Sequence, residues 1–344
     1  MQLKKIIMIR LFIGLSKNQI SSYEKLLRHK NFQKSKKVLI TNKTLIIDLG
    51  LWDEVIYANK TFNNQSNSSL DEIKHIIQKI KQYKTIVKNV IKYKQEKKIT
   101  LYFTYVEDLL TNFLLFSFNK NIKGVVIEDG TLNYYQHTIK SISQKKVFLK
   151  WLLSNIYGLR FKYYKGHSSG IESLNVNKQY VRAPELSMFP NKSEKLPYLS
   201  RKSILTNTFL IIGQEGYINQ QGEKKYNQCL DELIEVIKSD LNYLNTEIIY
   251  YKPHRNGKRI DFDRFKEKFN EKKVMILEAD EPLEDLYFNT LGSKHIFSFD
   301  SSALLNIYLE SDVCIRNQIN FNVLLRYNTL LEPIFKKFKF KIYK

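Results

Sequence analysis

The chain has 344 residues, 43% of them hydrophobic and 13% aromatic, and a formal net charge of +22. That apolar content excludes wholesale disorder, and the length exceeds one ordinary core, so two α/β domains are expected. An excess of cations suits nucleic acid, an anionic membrane surface or anionic substrates. Lysines dispersed over amphipathic helices, in no recognised nucleic-acid motif, argue against the first.

In chain order, residues 6–13 read as a buried first strand ending near Gly14. Arg10 interrupts the apolar run and no small-residue cleavage site follows, so a secretory leader is not expected. No run is long enough to span a bilayer, and the two cysteines, read as reduced thiols, fit a cytoplasmic protein. Further strands are expected at 37–41, 44–49, 55–58, 99–105 and 124–128. Helical spacing marks 19–29, 70–93, 106–118 and 147–159. In the second of these helices Ile73, Ile76, Ile77, Ile80, Ile86, Val90 and Ile91 make one face, with lysines on the other. Residues 162–201 read as loop, and their later part as a linker. The pattern then restarts, with strands at 209–213, 246–251, 274–277 and 296–299 and helices at 222–242 and 260–270. Segments 283–291, 303–309 and 313–315 continue the alternation. This gives a first domain over 1–195, a second over 196–325 and a basic aromatic tail over 326–344. The tail's alternation of Phe and Lys suits either the inner leaflet or a packed terminal strand or helix. Cys229 and Cys314 lie in apolar-periodic segments and read as buried, reduced thiols.

Alternating strands and helices imply parallel sheets, which bind ligands beyond the carboxyl ends of their strands. No Gly-x-Gly-x-x-Gly and no P-loop follows any strand, which disfavours dinucleotide oxidoreductases and ordinary NTPases. Six scattered histidines give no metal pair, so no metal is expected. Chemistry is expected instead where polar residues follow strands. Val125-Val126-Ile127 runs into Glu128-Asp129-Gly130, two carboxylates on a glycine turn. Adjacent side chains in extended backbone point to opposite sides, so only one of the pair can face a substrate as general base. Lys252-Pro253-His254-Arg255 places a histidine among cations, suited to a departing phosphate. Asp300-Ser301-Ser302 precedes a helix, where hydroxyls and free N–H groups make either a cap or a phosphate site. Glu284, in a first helical turn, could accept from ribose hydroxyls. Gly213-Gln214-Glu215-Gly216 supplies backbone able to approach a nucleotide, with Glu215 as a second candidate base.

Glu128-Asp129-Gly130, Pro253-His254, Pro282-Leu283-Glu284 and Ser301-Ser302 together resemble the motif series of bacterial sialyltransferases. That series is an Asp/Glu-Asp/Glu-Gly motif, a His-Pro motif, a ribose-binding glutamate and a Ser-Ser or Ser-Thr motif, in that order. The set is most similar to glycosyltransferase family 52, the lipooligosaccharide and capsule sialyltransferases, with motif relatives among polysialyltransferases and family 80. Ser16-Lys17-Asn18-Gln19 also resembles the Thr-Pro-Leu-Gln element of family 52. The similarity runs from about residue 6 to 310, and Arg255 stands where the motif has proline. It implies a GT-B fold, two Rossmann-like domains with parallel sheets facing a central cleft. It implies an inverting, metal-independent enzyme that takes CMP-sialic acid as donor and a surface glycan as acceptor, without cofactor. Glu128 or Asp129 would be the base, and His254 would assist CMP departure. Gly213, Gln214, Lys252, Arg255, Glu284, Ser301 and Ser302 would bind CMP. Peripheral contact with the inner membrane and a homodimer are both open to such a protein. The rival readings are a GT-B transferase with another nucleotide sugar, a capsule polymerase, and a non-catalytic nucleic-acid-binding protein.

Overall fold

The structure is a computed structural model describing residues 8–344 apart from 31, 33, 59–68, 142, 199, 255–257, 270–271 and 279–281. The chain divides into two compact units, Met1–Pro197 and Tyr198–Lys344. The first contains strands β1 (Met8–Gly14), β2 (Ser35–Asn42), β3 (Glu54–Ala58), β4 (Ile99–Phe103), β5 (Ile122–Ile127), β6 (Val176–Val181) and β7 (Ser193–Lys195). All pair in parallel, in the order β3-β2-β1-β4-β5-β6-β7. Helices α1 (Lys17–His29), α2 (Ser69–Val90), α3 (Leu109–Phe113) and α4 (Gln144–Ile156) make the crossovers.

Pleat alternation divides each central strand between two apolar layers. Leu11, Ile13, Leu101, Phe103 and Val126 enter the core under α2. Phe12, Tyr102, Val125 and Ile127 enter the opposite one, with Tyr23 and Leu26 of α1. The isoleucines at 76, 80 and 86 are buried, as their spacing requires. Helix α3 starts at Leu109 because the Asp108 carboxylate caps it, accepting from the N–H of Leu110 (3.0 Å) and Thr111 (3.1 Å).

The second unit contains β8 (Thr206–Ile212), β9 (Ile248–Lys252), β10 (Lys273–Ile276), β11 (Ser293–Ser298), β12 (Asn320–Leu324) and β13 (Lys341–Tyr343). These are also all parallel, ordered β10-β9-β8-β11-β12-β13. Its helices are α5 (Ile218–Gln221), α6 (Glu223–Lys238), α7 (Phe262–Glu267), α8 (Leu283–Leu286), α9 (Ser302–Glu310), α10 (Val313–Arg316) and α11 (Glu332–Lys337). Both units therefore share the Rossmann order 3-2-1-4-5-6, which reverses beside the first strand. The two switch points lie between β1 and β4 and between β8 and β11.

Three expectations fail, each for a tertiary reason, and one open alternative is decided. Residues 44–49 form no strand: Ile46 is 90% exposed, and β2 pairs instead with β3. The loop-like stretch 162–201 contains β6 and β7, whose partly exposed, polar composition hides them. Of the two arrangements open to 326–344, the packed one holds: Phe335 and Phe340 are buried and stacked, and β13 extends the second sheet. Cys229 is buried, but Cys314 is exposed on the short α10.

One ion cluster anchors edge strand β3. Glu54 accepts from Lys92 Nζ (2.6 Å) and the Tyr93 hydroxyl (2.5 Å), with Lys36 Nζ at 2.9 Å. Burial alone would raise this carboxyl, but the hydrogen bonds from Lys92, Tyr93 and Lys36 hold it down at about 2. A depressed carboxyl stabilises the fold fully above its unfolded value, and that contribution disappears as pH falls from the ordinary carboxylate range toward 2. Lys92 is half exposed, so screening leaves roughly 1 kcal/mol. Denaturant melts should show Glu54→Gln less stable than the parent by that amount at pH 7, with the gap narrowing as pH falls below about 4.5. A gap independent of pH would remove the ion cluster as its cause.

Candidate active site

In the first unit the expected acids separate as the pleat requires. Glu128, directly after β5, is 1% exposed, whereas Asp129 lies partly open. Glu128 Oε1 accepts from Arg182 Nη1 at 2.8 Å. Its Oε2 accepts from the backbone N–H of Arg182 (2.5 Å) and the Tyr134 hydroxyl (2.5 Å). Tyr134 in turn receives the Ala183 N–H at 3.1 Å, and burial beside Glu128 pushes its hydroxyl up. This carboxylate ties the end of β5 to the end of β6. Both of its oxygens are engaged, and it has almost no exposed surface.

Asp129 is the acid that reaches the switch point. Its Oδ2 accepts from Gln19 Nε2 at 2.7 Å, and the same amide donates to Thr104 Oγ1 at 3.1 Å. Gln19 Oε1 receives the Leu15 N–H at 2.8 Å, while Ser16 caps α1. One glutamine thus joins the loops after β1, β4 and β5. Gly130 follows at φ 79°, a conformation that favours glycine and turns the chain away behind the acid. Beside it Tyr105 is 37% exposed, and desolvation at its hydroxyl, with the charges of Asp108, Asp129 and Glu107, pushes that group up. His137 Nδ1 lies 2.8 Å from Ser168 Oγ and 3.8 Å from Glu107 Oε1. Neither Tyr105 nor His137 carries a sequence motif that singles it out.

The second unit repeats the device. Glu215 is fully buried after β8, where Oε1 accepts from the Tyr251 hydroxyl (2.5 Å) and Oε2 from the His254 N–H (2.7 Å). It braces the loop that carries His254, with both oxygens accepting hydrogen bonds. Gly213 is required by the same packing: a Cβ there would meet Tyr251 Oη at 2.5 Å and Glu215 Oε2 at 2.8 Å. Gln214 donates its backbone N–H to the Tyr226 hydroxyl at 3.1 Å. Lys252 ends β9 and His254 follows it, both partly exposed, and the His254 carbonyl accepts from Arg259 Nη1 at 2.7 Å. Arg255 lies outside the described residues.

Across the switch point, the loop after β11 carries Asp300, Ser301 and Ser302. Ser301 is buried and caps α9, accepting from the Ala303 N–H at 3.3 Å, whereas Ser302 is partly exposed. Asp300 Oδ2 accepts from the Tyr217 hydroxyl at 3.0 Å, which links the loops after β8 and β11. Burial raises the Asp300 carboxyl despite that bond. Glu284 of α8 accepts from Asn306 Nδ2 of α9 at 2.6 Å, so it is held against the helix that Ser301 caps. Gly213, Gln214, Lys252, His254, Ser301, Ser302 and Glu284 are therefore brought around one sheet edge and one helix. Among the described residues, no group of three or more His, Cys, Asp or Glu side chains is placed to share a metal ion.

No family model matches the chain, and no curated protein matches it. Solved structures do. The glycosyltransferase of kitacinnamycin superposes with a TM-score of 0.50 at 8% identity, covering 98% of this chain and 86% of that one. SnogD, a glycosyltransferase from Streptomyces nogalater, gives 0.46 at 10% identity over 98% and 87%. The Methanocaldococcus jannaschii UDP-GlcNAc 2-epimerase, in complex with UDP-GlcNAc and UDP, gives 0.49 at 13% over 98% and 88%. At such identities the similarity is one of fold: two parallel-sheet α/β units of GT-B type. No helix among the described residues is long and apolar enough to cross a membrane.

Proposed function

We propose that this chain is an inverting, metal-independent glycosyltransferase that moves sialic acid from CMP-sialic acid to a hydroxyl of a bacterial surface glycan. The observation that carries the reading is the arrangement around the second switch point. A serine-capped helix N-terminus, a lysine and a histidine on strand ends, and a glutamate held against the same helix suit a nucleoside monophosphate. The open carboxylate at the first unit's switch point supplies the base. Asp129 removes the acceptor hydroxyl proton as its oxygen attacks the anomeric carbon from the face opposite CMP. The bond from that carbon to the phosphate oxygen breaks, and the electron pair leaves on CMP. His254, Lys252 and the N–H groups of α9 stabilise the phosphate charge, and His254 can return a proton to it. Ser302 is the better placed hydroxyl for the phosphate, since Ser301 is occupied as the cap. Glu284 would hold the ribose. Glu128 and Glu215 act beneath these groups by fixing the loops that present them.

The test is donor turnover. Purified chain should release CMP slowly from CMP-sialic acid, and faster once a suitable glycan is added, and calorimetry should show CMP bound more tightly than UMP or GDP. UMP or GDP bound more tightly, with no CMP release, would move the reading to another nucleotide sugar. Absence of any nucleotide binding together with salt-sensitive binding to random DNA would replace it with a nucleic-acid function.

A further inference from the structure

Helix α4 is apolar on two sides. Val147 and Ser154 are buried, and Leu149 and Leu153 pack on the first unit's core. On the other side Phe148 is 56% exposed, Trp151 43% and Ile156 68%. Spacings of three, four and eight residues put these three and the half-buried Leu152 on one helical face. The Phe148 and Trp151 rings lie 5.9 Å apart, a paired aromatic surface facing solvent. Isolated exposed apolar residues need no explanation, but a contiguous aromatic face on a surface helix does.

Charge says what covers it. No Asp or Glu occurs between Asp129 and Glu172, whereas the cations there include Lys140, Lys145, Lys146, Arg160 and Lys162. Lys145, Arg160 and Lys162 are exposed, and Lys146 pairs with Glu72 of α2 at 3.3 Å. An exposed aromatic face on a helix whose own and flanking residues carry cations and no carboxylate, with Glu72 of α2 paired to Lys146, suits the headgroup region of an anionic bilayer. There Trp and Phe sit at the interface and lysines meet phosphates. A segment with cations and no carboxylate suits lipid phosphates better than a mixed-charge protein surface. At 13 residues α4 is too short to span the hydrocarbon, so it would lie in the membrane plane.

We propose that the exposed face of α4 docks the first unit on an anionic lipid surface, with Phe148 and Trp151 inserted at headgroup depth. The inference goes beyond the proposed reaction and rests on none of its residues, so vesicle binding and CMP release can fail separately. In flotation assays the full chain should rise with vesicles containing about 30 mol% phosphatidylglycerol and stay behind with pure phosphatidylcholine. Binding should weaken in high salt. The double substitution Phe148→Ser with Trp151→Ser should cut the bound fraction by roughly tenfold or more, with its circular dichroism and CMP release unchanged. In a Trp52→Phe background, Trp151 emission should shift to the blue on anionic vesicles only. Replacing Lys337, Lys339 and Lys341 by Gln should leave most of the flotation intact. The proposal is overturned if the double variant floats as well as the parent, if neutral vesicles bind equally, or if nothing floats. It is also overturned if binding follows the C-terminal lysines, or if the same double substitution abolishes dimerisation of a chain that binds no vesicle.

Discussion

Asp129→Asn should slow glycosyl transfer by about 10³-fold while leaving CMP affinity within about twofold. The asparagine keeps the shape and can still meet Gln19, so the loop after β5 retains its bond to the loops after β1 and β4. What it loses is the capacity to take a proton, and general-base catalysis by one positioned side chain contributes roughly 10²–10⁴. Since Asp129 is assigned no contact with the nucleotide, the loss should fall on turnover. Initial rates with saturating donor and acceptor, beside calorimetric CMP titration, separate the two quantities. Near-parental turnover, or a CMP affinity that falls in step with the rate, would remove Asp129 as the base.

Glu128→Ala should instead cost stability, about 3–5 kcal/mol in the first unit. The carboxylate is buried with Arg182 Nη1 at 2.8 Å, and the Arg182 N–H and the Tyr134 hydroxyl also donate to it. Removing it takes from a nearly buried guanidinium the carboxylate it meets at 2.8 Å, with two further donors deprived of their acceptor. Urea unfolding followed by far-ultraviolet circular dichroism should show an early transition for the first unit, with the second unit's transition and CMP affinity unchanged. Were Glu128 the base, the same substitution would also abolish turnover in chain that remains folded. The pair of substitutions therefore decides between adjacent carboxylates by two different observables.

The motif pattern identifies the acid pair and stops there. Pleating says that Glu128 and Asp129 diverge, but which of them turns inward depends on Arg182, 54 residues on at the end of β6. That strand is itself illegible: Val176-Asn177-Lys178-Gln179-Tyr180-Val181 offers too few apolar residues to mark it. Gln179 is buried only because Asn133 and Ser193 hydrogen-bond it. Glu215 shows the same limit. Its neighbours in sequence suggest a site acid, yet it is spent on Tyr251 and the His254 N–H, brought to it by β9. A carboxylate's role is set by what surrounds it, and here the surroundings come from other strands.

The sequence by itself determined the two α/β units, because short apolar runs alternating with amphipathic helices admit little besides parallel sheets. It also determined which loops carry polar residues directly after strands: those after β5, β8, β9 and β11. The strand order, and with it the two switch points, came only from the tertiary structure, since pairing joins segments whose register no local pattern records. So did the division of labour among the acids. Burial and completed hydrogen bonding make Glu128 and Glu215 braces, while Asp129 stays partly exposed.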